Sequence, residues 1–539
     1  MRPSRIRTLT ILVATAFQAL LLANLLLFEY GRDQGIYAVV GNAIVRGGAP
    51  YRDAWDFKPP AIFFLFAAAR ALFGGAHWGI RVLEASAWVT VPFCLARFVA
   101  QCGGKWLLGF VAGIVATYIE VRTEYWHTGQ PESFGAVLLV WALTMVTRPR
   151  SDAIGRADTW RWLCAGALFG AAGLLKPPLG GGAVPLLGVW IAERRRRIGR
   201  ALGPRALAEV TLATLAGMAL PPLLVGAYFF RHGALGDLID ALFGFAPHYT
   251  SLGSGPARLP ANLARAAWEL LTCFSPMLAI SPLVFTRVVP TEMRAQIGLE
   301  SVVAVGVVPL LGVAVQGKFF PYHYEGCLPF ACLCAVTVYA AIGARLLAHG
   351  VTRKAIFAAL TAVVAGFLIC GQYINPQAQF WDRMAMRGEA ITHPSRRARL
   401  NDAMTSDADV RSAENERLSD WLRVATKPDA PVFVWGFEPV VYDTSGRPCA
   451  SRYVYDVPQR VPWARDRACR MLKADLHENP PEVVAIEHED RFPDVTGDTL
   501  DSAEAVAACD WLPQWLEANY FPEWDSIKFM VFRRAKPAM

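Results

Sequence analysis

Apolar positions in this chain of 539 residues gather in long unbroken runs, not in the strict alternation of half-buried strands. Runs near the roughly 20-residue length that crosses a bilayer as helix continue to about residue 374. Window length predicts about eleven spans, at 8–28, 79–101, 105–121, 133–147, 161–176, 179–192, 206–229, 266–287, 296–316, 324–345 and 355–374. "PPAIFFLFAAARALFGG" (59–75) is apolar but short and interrupted by Arg70, so it reads as an interfacial or re-entrant helix. The first run, Thr8–Phe28, is too long for the core of a cleaved signal and lacks an Ala-x-Ala-type end; it reads as a retained helix. From Asn375 the pattern changes to charged residues and prolines, with strand-like runs "APVFVWG" (430–436), "EVVAIEH" (482–488) and "SIKFMVFRR" (526–534). Two domains follow: a helical membrane module over 1–374, with a first outer loop over 29–78 carrying interfacial helices, and a small α/β domain over 375–539.

Charge turns the runs into a topology. Only 18% of residues are charged and 54% are hydrophobic, against about 25% charged in ordinary soluble domains. The net charge of +8 comes from arginines in short loops, which excludes a nucleic-acid surface in favour of the positive-inside rule. "MRPSRIR" places the N-terminus in the cytoplasm. The loops at 101–105, 147–161, 193–205, 286–294 and 344–354 then lie inside, with "ERRRR" (193–197) the strongest determinant. An odd number of spans puts the C-terminal domain outside. Most of the 11 cysteines lie in or beside apolar runs. Cys449, Cys469 and Cys509 fall in the polar region, where Cys449–Cys469 is the expected disulfide.

This map gathers the chemistry on one face. The first outer loop holds Arg32, Asp33, Arg52, Asp53, Asp56 and Lys58. "EVRTEYWHTGQPESF" (120–134) brings Glu120, Glu124, His127 and Glu132; "LLKPPLGGG" (174–182) brings Lys176; "QGKFFPYHYEG" (316–326) brings Lys318, Tyr322 and His323. Acids there serve as bases, and lysine, arginine or histidine receives a phosphate leaving group. Asp33, just past the first span, stands at the interface where a charge is costly. Asp53 and Asp56 read as solvated loop acids behind it.

The order of these motifs resembles the GT-C glycosyltransferases that use polyprenyl-phosphate sugars, including protein O-mannosyltransferases and lipid A aminoarabinose transferases. The likeness rests on "RDQGIYAVVGNAIVRGGAPYRDAWDFKPPAIFFLFAAARALFG" (32–74), "GIRVLEA" (79–85), "GQPESF" (129–134), "LLKPP" (174–178), "KFFPYHYEGCLPF" (318–330) and "VFVWGFEPVVYDTSGRPCASRYVY" (432–455). It implies that Asp33 is the base activating an acceptor hydroxyl, that Glu132 or its neighbour Glu124 is the second acid, and that Lys58 contacts the donor. Arg81, His127, Lys176, Lys318, Tyr322 and His323 would line the lipid-phosphate site. The implied reaction is inverting transfer of a monosaccharide to a glycolipid, polysaccharide or protein in a bacterial plasma membrane. No cofactor is certain, and a divalent metal is possible. The rival readings are a lipid-linked glycan transporter or flippase, and a non-catalytic component of envelope polysaccharide assembly. The transporter reading is not favoured, because the charges sit in loops and no internal repeat is visible; the non-catalytic reading predicts that Asp33 and Glu132 point away from any shared cavity.

Overall fold

The computed structural model describes residues 3–146, 155–199, 203–253, 258–374, 380–405 and 410–535. Cα proximity divides the chain into two compact units: 1–27, 81–225 and 255–384 form one, and 28–80, 226–254 and 385–539 form the other. The first outer loop therefore belongs to the same unit as the C-terminal region. The expected boundary after residue 374 abuts 375–379, outside the described residues. So do 147–154 of the expected inside loop at 147–161, and the side chain of Arg197 in "ERRRR".

The first unit is a helical bundle. Among the described residues, 5 helices are long and apolar enough to cross a membrane: Trp78–Gln101, Trp106–Thr123, Pro204–Arg231, Leu299–Gln316 and Pro321–Ala348. Counting each of two bent pairs as one span raises the number to 7. The run expected to cross at 266–287 is such a pair: helix Leu259–Thr272 and the 3-10 helix Pro276–Phe285 meet at 117°. Proline causes the break. Ser275, before Pro276, is forced into extended backbone (φ −163, ψ 132), and its hydroxyl accepts the Met277 N–H at 3.3 Å to start the next helix. The expected span at 133–147 is the short apolar helix Pro131–Met145, and the expected interfacial or re-entrant segment at 59–75 is the short apolar helix Ala61–Phe73.

Where two helices approach closely, glycine makes the contact. Gly109 and Gly113 lie one turn apart on Trp106–Thr123, and Cβ atoms there would come within 2.2 Å of the Leu95 carbonyl oxygen and 2.3 Å of Pro92 Cα. This small-xxx-small spacing lets helices Val91–Gln101 and Trp106–Thr123 touch by backbone, where dispersion rather than the hydrophobic effect holds helices together in lipid.

In the second unit, helices Arg32–Val45 and Ala61–Phe73 pack with the C-terminal region. Its sheet has strands β1 (Val432–Trp435), β2 (Val483–Glu487), β3 (Tyr520–Asp525) and β4 (Phe529–Arg534) in the order β1-β2-β4-β3. β1 and β2 are parallel, with Val432 opposite Val483, and the helix Arg465–Glu478 lies in the connection such a pair requires. Both are buried along their whole length, as their unbroken apolar runs predict. β3 has no counterpart among the expected strands, because Pro522 and its acids break the pattern; it is an edge strand, where proline is tolerated.

The expected cysteine pairing is corrected. Cys469 bonds Cys509, with Cα atoms 5.4 Å apart, and Cys449 is a free thiol. Cys449 follows the turn that bridges back to Val432, and its thiol points to the Tyr453 carbonyl at 3.7 Å, so its own backbone turn occupies it. The bond closes a loop of sequence separation 40, worth about 4 kcal/mol by loop-closure entropy.

Three substitutions test these packing claims. Gly113→Val is expected to lower the thermal unfolding midpoint of the detergent-purified protein, by the roughly 1–3 kcal/mol of an overpacked contact. Cys509→Ser is expected to lower the midpoint of the oxidised protein, whereas Cys449→Ser leaves it unchanged. Equal losses from both cysteine variants would contradict the pairing.

Candidate active site

Asp33 occupies the first turn of helix Arg32–Val45, where the exposed N–H groups favour a carboxylate. Lys58 ends the loop before Pro59 and Pro60, which set helix Ala61–Phe73 in motion. The two meet: Lys58 Nζ donates to Asp33 Oδ2 at 2.8 Å. The ammonium also donates to the Tyr37 hydroxyl and lies 4.9 Å from that ring's centroid. Asp33 and Tyr37 are one turn apart, so one helix face presents both to the lysine. The Tyr51 hydroxyl fixes the lysine's backbone by donating to the Lys58 carbonyl at 2.7 Å. The pair is half-buried, with side chains 21% and 19% exposed, and remains open to a ligand.

Asp56 differs from its neighbours. It is buried; Oδ1 accepts the Phe57 N–H and the Tyr455 hydroxyl, each at 2.8 Å, and Oδ2 has no hydrogen-bond partner. Burial pushes its pKa up from 3.8 to about 6, against the Lys58 charge and the Tyr455 hydrogen bond, with the Asp33 charge adding to the rise. Reading Asp56 as a solvated loop acid is therefore corrected: the aromatic residues on both sides enclose it. Asp53 is exposed and structural, accepting the Ala49 N–H at 2.7 Å and pairing with Arg52 at 2.7 Å.

The other expected residues gather in the helical unit. Glu132 follows Pro131 at the N-terminus of helix Pro131–Met145. It accepts a hydrogen bond from Lys176, and His323 Nε2 lies 3.9 Å from the same oxygen. Lys176 is the extended residue between helix Arg156–Leu175 and Pro177, so the prolines that end the helix aim the lysine. Tyr322 and His323 pack at 4.7 Å, with Trp126 5.8 Å and His127 6.2 Å from the Tyr322 ring. This cluster combines a buried acid, a lysine, a histidine and an aromatic wall. Lys318 stands half-buried just before it.

Two expected residues are committed elsewhere. Glu124, with left-handed backbone at φ 64, pairs with the buried Arg383. That leaves Glu132 as the acid of the Lys176 cluster. Arg81 is fully buried and donates to the Tyr125 carbonyl and Thr128 hydroxyl, both at 2.9 Å, and to Glu84 at 3.3 Å. It holds the turn carrying His127. Among the described residues, no three His, Cys, Asp or Glu side chains converge as metal ligands.

A family model described as dolichyl-phosphate-mannose-protein mannosyltransferase matches residues 57–219. No curated protein matches the chain by sequence. ArnT from Cupriavidus metallidurans, bound to undecaprenyl phosphate, matches the structure with a TM-score of 0.60 at 13% identity, over 98% of this chain and 99% of that one. The apo state of the same enzyme gives 0.56 at 14% identity, over 98% of each chain. This is the GT-C fold. Within the GT-C fold, the family match covers Lys58, Arg81, Glu124, His127, Glu132 and Lys176, but starts after Asp33 and stops before Lys318.

One charged cluster had no sequence signal. His77 lies between Glu29 and Asp443, 2.6 Å from one and 3.4 Å from the other, and stacks on Tyr30 at 4.0 Å. Arg70 completes it by pairing with Asp443, and Arg397 by pairing with Glu29 at 2.7 Å. Burial alone would lower the pKa of His77; the two carboxylates override it and carry it from 6.5 up to about 9. Its contribution to stability is therefore complete below pH 6.5 and lost as pH rises through 9. The shift is on the order of 2–3 kcal/mol. His77→Gln is expected to lower the thermal midpoint at pH 6 and to flatten its fall between pH 6.5 and 9.5. A parent midpoint flat across that window would contradict the pairing.

Proposed function

We propose that this protein transfers a monosaccharide from a polyprenyl-phosphate donor to an acceptor hydroxyl at the outer face of a bacterial plasma membrane, with inversion. The observation that carries the reading is the half-buried Asp33–Lys58 pair: a carboxylate held at a helix N-terminus by an ammonium that can itself receive a phosphate. Asp33 takes the proton of the acceptor hydroxyl as its oxygen attacks the anomeric carbon. The bond from that carbon to the phosphate oxygen breaks, and polyprenyl phosphate leaves with the electron pair. Before that step, donor binding lets Lys58 exchange its carboxylate for the phosphate, which leaves Asp33 able to accept the proton. In the helical unit, Lys176, paired with Glu132 beside His323, is a cation of the kind that binds a lipid phosphate, and Tyr322 with Trp126 offers an aromatic surface to a prenyl chain. The binding of undecaprenyl phosphate by ArnT, which shares the fold, supports a donor of that lipid class.

The test uses the purified full-length protein with polyprenyl-phosphate monosaccharides and membrane glycolipids. Asp33→Asn is expected to slow release of polyprenyl phosphate by about 10²–10⁴-fold, the usual contribution of a general base. Lys176→Gln is expected to weaken the donor's apparent affinity more than it slows turnover. An Asp33→Asn rate equal to the parent's would remove Asp33 as base, and a product retaining the donor's anomeric configuration would remove inversion.

A further inference from the structure

The second unit contains a cavity of about 170 Å³ that none of the roles above uses. Its walls are aromatic: Trp55, Phe245, Tyr453 and Trp463. Trp55 meets Phe245 edge-on at 4.8 Å and Tyr453 at 5.9 Å, and Trp463 lies 5.7 Å from Phe245, so the rings form a continuous, rigid surface. Polar and charged groups stand at its edge: Asp237, Asp240 and Arg467. The half-buried Asp237 carboxylate also lines the cavity and makes no hydrogen bond within the described residues. An Asp240–Arg467 ion pair at 2.6 Å closes the rim.

A donor, an acceptor and flat aromatic faces around one small space fit one ligand chemistry closely. A pyranose ring presents an apolar C–H face to stack on indole or phenol, and hydroxyls that both accept and donate. The Arg467 guanidinium can donate to such hydroxyls and the Asp237 carboxylate can accept from them, and the compact size suits one sugar unit of a longer glycan. The cavity also adjoins the first loop's acids. Trp55 precedes Asp56, its ring lies 5.9 Å from Tyr455, and Tyr455 donates to Asp56. Phe57 in turn packs on Tyr249 at 4.2 Å, in the segment that carries Phe245.

We infer that this cavity binds a sugar unit of the acceptor, which makes the acceptor a glycan or the glycan part of a glycolipid. The inference rests on the transfer reading only for the word acceptor; binding itself is tested without turnover. Full-length protein in nanodiscs is titrated with maltotriose, α-1,6-mannotriose and chitotriose, and with a Ser/Thr-rich hexapeptide, following tryptophan fluorescence and saturation-transfer NMR. At least one trisaccharide is expected to bind and the hexapeptide not to. Trp463→Ala and Asp237→Asn are each expected to weaken that binding about tenfold or more, whereas Trp463→Phe, which keeps a stacking face, retains most of it. Asp237→Asn, a surface-compatible change, keeps the test valid if Trp463→Ala fails to fold. No trisaccharide binding by the parent, binding indifferent to both variants, or binding of the peptide alone would overturn the inference. Polyprenyl phosphate release in the absence of any glycan binding would overturn this inference and leave the transfer reading standing. Glycan binding without release from any donor would overturn the transfer reading and leave the cavity a saccharide site.

Discussion

A buried charge has to find its opposite, and the first loop of this chain is organised around that requirement. Arg70 sits in an otherwise apolar helix because Asp443, 2% exposed, needs it, and Asp443 also faces His77, which faces Glu29, which faces Arg397. Removing one partner from such a chain leaves an uncompensated charge, at about 3–5 kcal/mol. Helix Ala61–Phe73 is thereby fixed, and with it the Pro-Pro entry that carries Lys58. The placement of the lysine against Asp33 follows from an ion-pair relay that contains neither residue.

The two acids of the loop then diverge in chemistry although they are close in sequence. Asp33 is half-buried and paired with the Lys58 ammonium where a ligand can reach it. Asp56 is enclosed by Trp55, Tyr455 and Phe57, and burial moves its titration to about 6. An acid that titrates there suits the holding of a proton. The difference arises from aromatic packing around an identical side chain.

Sequence patterning reached the elements and the motif residues because both are local. Runs of bilayer length, proline pairs and the strand runs at 430–436, 482–488 and 526–534 each leave a mark within about twenty residues. The bend at 275 was equally local, written in Pro276 and Pro282, but a hydropathy window averages over it. What stayed hidden depends on contacts across hundreds of residues. Tyr455 closes on Asp56 across 399 positions, Arg383 claims Glu124 across 259, and Arg70 meets Asp443 across 373. The choice of Cys509 over Cys449 is of the same kind, since Cys449 is diverted by its own turn. The Lys176–Glu132 pair was accessible as two motifs; their meeting was not.

The small sheet shows how far this logic extends. In open α/β folds the crevice beyond the carboxyl ends of parallel strands is the usual ligand site. Here β1 and β2 end at Trp435 and Glu487, and the crevice beyond them holds Glu438 and Glu487, whose titration burial pushes upward. Gly436, at φ 157, is obligatory because a Cβ there would stand 2.4 Å from that of Glu487. The cation in the crevice is Arg32: its Nε lies 3.1 Å from Glu438, its Nη2 lies 3.7 Å from Glu487, and its guanidinium sits 4.4 Å from the centroid of the Phe492 ring. Arg32 is the residue before Asp33 on the same first helical turn. The sheet therefore spends its ligand position on the chain's own helix, and the direction in which Asp33 points is set by two buried glutamates more than four hundred residues away.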